Sequence, residues 1–139
     1  MLELVKRIVV AGVAFGALDY LWLGVVMRTF YRTRLESLLL PAGSMQAGIH
    51  WMPALITYTL LAMGMVMFVV PRASRFLFSS FVWGAMFGLV VYGVYNGTNV
   101  ALMRQWPLVL AVVDVVWGVI LCGFVSVITT AFSSRKRRV

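Results

Sequence analysis

The sequence predicts an all-α fold, a four-helix transmembrane bundle with both termini cytoplasmic. Composition is the first reason: 63% of the residues are hydrophobic, 12% are charged and the mean hydropathy is +0.98, which leaves too little polar surface to coat a water-soluble domain. Length is the second. Apolar runs occupy about residues 5–27, 51–70, 78–100 and 107–131, each near the roughly 20 residues that cross about 30 Å of hydrocarbon. Little chain remains outside them, so 1–139 reads as a single integral membrane domain with no water-soluble module.

Each run has a local reason to stop. Arg28, Arg32, Arg34 and Glu36 end the first, and Pro41-Ala42-Gly43-Ser44 breaks any helix before the second. The connection from Thr29 to Leu40 mixes Phe30, Tyr31 and three leucines with arginines; it fits an interfacial amphipathic helix or a continuation of the first span. Pro71-Arg72-Ala73-Ser74-Arg75 separates the second and third runs, and Trp106-Pro107 opens the fourth, where a missing N–H costs nothing at the first helical position. Lys6 and Arg7 before the first run resemble a signal-peptide start, but the run is too long and contains Asp19.

Basic residues set the orientation. The side holding both termini and the middle loop carries eight, among them Arg72, Arg75 and the tail Arg135-Lys136-Arg137-Arg138, against Arg28, Arg32, Arg34 and Arg104 opposite. The excess places both termini in the cytoplasm. The net charge of +8 is then explained by headgroup attraction to the tail, not by nucleic-acid binding.

Asp-x-x-Trp occurs twice inside apolar runs, as Asp19-Tyr20-Leu21-Trp22 and Asp114-Val115-Val116-Trp117. An Asp at the centre of a membrane helix costs roughly 2.5 to 3.5 kcal/mol, so both are functional candidates. At about 1.5 Å per residue they lie level, roughly 10 to 12 Å below the outer boundary. Thr57, Tyr58 and Thr59 reach that depth from the second span, and Tyr92, Tyr95, Asn96, Thr98 and Asn99 from the third. The inner half, around Val9, Met65 to Val69, Phe81 and Ile120, is nearly featureless. An outer polar pocket is expected, with Asp19, Asp114, Tyr58, Tyr92, Tyr95, Asn96, Asn99 and Trp117 as ligand-binding residues. In a dry site the two carboxylates would share one proton; alternatively Arg28 or Arg104 pairs with them and makes them structural clamps.

The structural reading of the same residues is helix packing. Polar side chains join membrane helices, and small residues let them approach; Gly12-x-x-x-Gly16, Gly84-x-x-x-Gly88 and Gly93-x-x-x-Gly97 provide three such stripes. Trp22, Trp51 and Trp106 read as interfacial anchors, whereas the deeper Trp117 needs a hydrogen-bond acceptor. His50 is the one histidine and Cys122 the one cysteine, so no metal site, disulfide or cofactor is expected. There is no Ser-His-Asp spacing, phosphate loop or dinucleotide fingerprint, which excludes an ordinary soluble enzyme.

Asp19-Tyr20-Leu21-Trp22-Leu23-Gly24, Tyr92-Gly93-Val94-Tyr95-Asn96-Gly97-Thr98-Asn99, Trp106-Pro107 and Asp114-Val115-Val116-Trp117-Gly118 together resemble the bacterial predicted-membrane-protein family known as domain of unknown function 2177. The likeness spans nearly the whole chain. It implies a small polytopic inner-membrane protein and no established reaction. The family usually has Asp at the position of Asn96; an amide does not titrate, so a hydrogen-bonding role is expected there. Three functions follow in order: binding or translocation of a small polar or amphipathic ligand, an accessory subunit of a larger membrane complex, and a lipid-modifying membrane enzyme. Membrane lipids are the expected partners, with a homodimer or larger complex permitted by the glycine faces.

Overall fold

The computed structural model describes residues 1–36, 51–73 and 76–135. The Pro41 to Ser44 break, His50, Arg75 and Lys136 to Arg138 lie outside the described residues. Among those described there is no strand, and four helices are long and apolar enough to cross a membrane: Leu2–Val26, Trp51–Val69, Leu77–Leu102 and Leu108–Ser133.

Helix α1 (Leu2–Leu21) runs without interruption into a π-helical turn at Trp22–Val26. The Met27 N–H closes that turn on the Trp22 carbonyl at 2.7 Å. Met27 then leaves helical geometry, with φ −111° and ψ 14°, before α2 (Arg28–Leu35) begins. The connection after the first span is therefore a separate short helix and not a continuation of it. Helix α3 (Trp51–Gly64) likewise passes into a π-helical turn, Met65–Val69, whose Met65, Val66 and Val69 are buried. Helix α4 (Leu77–Leu102) starts after extended Phe76 and ends at extended Met103. Pro107 precedes α5 (Leu108–Arg135), and its carbonyl accepts the Ala111 N–H at 3.0 Å.

Close approach of α4 and α5 organises the bundle. A Cβ on Gly84 would collide with the Cys122 carbonyl and lie 2.5 Å from Ser126 Cβ; one on Gly88 would collide with the Gly118 carbonyl. A Cβ on Gly118 would in turn enter the Tyr92 ring. Of the three expected glycine stripes this one alone closes a helix pair. Gly16, Gly93 and Gly97 have nothing within 4 Å of an added Cβ, and Gly12 makes only ordinary contact with Ala62.

Helix α1 lies against α3 and α5. Its Ala11 and Phe15 join Ala62, Met65, Leu121 and Val125 in a fully buried core. The fourth span is the most enclosed, with 39% of its apolar window buried against 17 to 22% for the others, so α5 is the central helix. Val13, Leu60, Phe68 and Val90 point outward, each more than half exposed, the surface expected where lipid is the solvent. The inner half is not featureless. Ser80 and Ser126 are fully buried there with unpartnered hydroxyls, and Thr129 is buried with its hydroxyl on the Val125 carbonyl.

Candidate functional site

The second Asp-x-x-Trp lies on the central helix and the first at the end of α1, so the packing of α1 on α5 brings the tetrads together. Asp19 is 6% exposed. Its Oδ1 accepts the Trp117 indole N–H at 2.7 Å and its Oδ2 the Tyr58 hydroxyl at 3.0 Å. The tryptophan of one tetrad thus satisfies the aspartate of the other. Trp22 stacks flat on Trp117, with centroids 4.3 Å apart and planes 3° from parallel.

Asp114 is served from two other directions. Tyr31, carried back by α2, donates its hydroxyl to Oδ1 at 2.9 Å, and Asn96 on α4 donates Nδ2 to Oδ2 at 2.7 Å. Asn96 is 2% exposed. Its Nδ2 also reaches the Tyr92 carbonyl at 3.1 Å, and its Oδ1 accepts the Trp106 indole N–H at 3.2 Å. Burial of the Tyr31 phenol, followed by the charge of Asp114, pushes its pKa above the ordinary tyrosine range, so it remains a neutral donor. Trp22 approaches this hydroxyl and acts against those two effects, whereas Asn99 Nδ2 is buried without a hydrogen-bond partner. A buried donor left unmade costs about 1 to 3 kcal/mol.

Several expectations change. The carboxylates do not form one pair: Asp19 is held by Trp117 and Tyr58, and Asp114 by Tyr31 and Asn96. No hydrogen bond joins them, and among the described residues neither Arg28 nor Arg104 forms an ion pair with them. Tyr95 is 55% exposed and packs edge-on against Trp106; it does not join the carboxylate network. Tyr92 contributes its ring, which covers Gly118. Thr57, Thr59 and Thr98 bond carbonyls of their own helices. Trp22 and Trp106 face inward to the network and are not simple interfacial anchors. Tyr31 was not a candidate, because its position in an arginine-rich connection carries no periodic signal; an aromatic pair there was the only hint.

The cavity beside this network is apolar. An open groove of about 340 Å³ runs between the end of α4 and the start of α5, lined by Gly93, Gly97, Val100, Leu108, Val112 and neighbouring side chains. Asn96 also lines it, so the groove and the carboxylate network share one residue. Among the described residues no group of three or more His, Cys, Asp or Glu side chains is placed to hold a metal.

Four apolar spans around a buried Asp, Tyr, Trp and Asn network define a polytopic helical membrane protein. Residues 4–131 match the predicted membrane protein family DUF2177, and the chain belongs to that family. No curated protein and no solved structure matches it.

Proposed function

We propose that this is a multi-pass protein of the bacterial cytoplasmic membrane that binds an amphipathic ligand in the outer half of its bundle. The apolar chain of the ligand lies in the α4–α5 groove, and its polar head lies by Asn96 and the end of α4 that follows it. One observation carries this reading: Asn96, almost fully buried, donates to Asp114 and also lines the groove. The groove volume, about 340 Å³, falls in the range of small-molecule sites, which are mostly apolar with a few placed polar groups.

Native mass spectrometry of protein extracted gently from its own membrane tests it, comparing wild type with Gly97→Leu. A Cβ added at Gly97 meets nothing within 4 Å, and Gly97 lines the groove and not the buried core, so the variant is directed at the groove. A bound amphiphile present in wild type and lost from Gly97→Leu is expected. Equal occupancy in both overturns the reading. A protein partner at fixed stoichiometry, with an empty groove, would make the open Gly93 and Gly97 face the interface of an accessory subunit.

A further inference from the structure

We propose that the head of the groove ligand is an anionic phosphate, so that the occupant is an anionic phospholipid and not a neutral lipid. The inference rests on the reading of the groove as a ligand site and narrows the class of ligand.

It follows from which hydrogen-bonding groups are already used. All four oxygens of Asp19 and Asp114 accept an N–H or O–H from the protein, and Asn96 Oδ1 accepts one from Trp106. Each carboxylate is thus held by two protein donors. The donor left unmet beside the groove is Asn99 Nδ2, buried without a partner. Asn99 is one helical turn beyond Asn96 and adjoins Val100, which lines the groove.

Charge points the same way. The groove ends between Val100 and Leu108, and the short connection joining these two residues carries Arg104. Arg104 is exposed and makes no ion pair among the described residues. Arg28 and Arg32, each within one turn of Tyr31 on α2, are also exposed and without ion pairs. A phosphate is the head that supplies several acceptor oxygens and a charge opposite to these arginines. Because the groove beneath is apolar and open along the side of the bundle, the phosphate is that of a lipid.

The test offers detergent-solubilised, delipidated protein an equal mixture of dioleoyl phosphatidylglycerol, dioleoyl phosphatidylcholine and dioleoylglycerol, and counts retained lipid by native mass spectrometry. Wild type is expected to keep phosphatidylglycerol several-fold over dioleoylglycerol, with phosphatidylcholine between them. Arg104→Gln and Asn99→Leu should each lower phosphatidylglycerol towards the dioleoylglycerol level and leave dioleoylglycerol unchanged. Arg104 is a surface residue, so that variant remains informative even if Asn99→Leu fails to fold. Equal retention of all three lipids, with all lost from Gly97→Leu, overturns the phosphate head and leaves the groove reading standing. No retention by wild type, or retention unaffected by Gly97→Leu, overturns both. Loss of the phosphatidylglycerol advantage on adding inorganic phosphate, with dioleoylglycerol still bound, assigns the charged site to free phosphate and overturns the lipid assignment.

Discussion

Asp19 and Asp114 each accept one tyrosine hydroxyl and one nitrogen donor, Tyr58 with Trp117 and Tyr31 with Asn96. Asp19→Asn keeps the shape but turns one acceptor into a donor, so Trp117 stays on Oδ1 while the Tyr58 hydroxyl must turn to accept from the amide, and both charge-assisted bonds are lost. The expected loss of stability is roughly 1 to 2 kcal/mol, the upper part of the range for hydrogen bonds between membrane helices. Unfolding titrations in detergent check it; a loss no larger than that of the lipid-facing Val13→Ala would remove these bonds from the description. Tyr31 gives a pH dependence. Its pKa is raised in the folded protein above the ordinary 10.0, so the folded state holds the phenol proton more tightly than the unfolded state does. The stability from Tyr31 is fully present below about pH 10 and is lost as pH rises through the raised value. Tyr31→Phe should therefore be less stable than wild type at neutral pH and converge with it in strong alkali. A constant difference across that window would show that the hydroxyl does not bond Asp114.

Among the helices, glycine spacing alone does not say which faces touch. Gly84 and Gly88 sit against the backbone of α5, where carbonyl oxygens cannot give way, whereas Gly93 and Gly97, one to two turns further on, face open space. Gly84→Ala and Gly88→Ala should each cost about 1 to 3 kcal/mol as α4 and α5 are forced apart. Gly93→Ala and Gly97→Ala should be neutral or stabilising by up to about 1 kcal/mol, because a helical glycine is replaced with no new contact. Thermal unfolding of the four variants separates the two groups, and equal effects would refute the packing described here. The π-helical turns also belong to this scale. The turn at Trp22–Val26 sits between the Trp22 stack and the break at Met27, so it connects the site to the helix that delivers Tyr31. Such turns recur at functional positions in helices.

At the scale of the whole molecule, four crossings return the chain to the side on which it started. Reporters fused to either terminus should therefore report the same compartment, and the excess of Lys and Arg on that side predicts that it is the cytoplasm. A phosphatase active at one end and a fluorescent protein active at the other would refute the four-span arrangement. The helical membrane class was legible in the sequence because hydrophobic length is a local property that the bilayer enforces on each segment separately. The aspartates stood out for the same reason, being costly wherever their helices turned. The partners were not legible to the same degree. Tyr58, Asn96 and Trp117 were candidates by depth, but depth from helical rise does not report rotation about the helix axis, and it included Tyr95, which points away. Tyr31 could be found only from the break at Met27, which folds α2 back over Asp114. Likewise the three glycine stripes were equivalent in sequence until the meeting of Gly84 and Gly88 with Gly118 and Cys122 fixed how α4 and α5 face each other. Composition and segment length thus determined that this chain spans a membrane and where its costly carboxylates lie. Only tertiary packing decided which donors reach them, because that depends on helix rotation and on contacts between residues far apart in the chain.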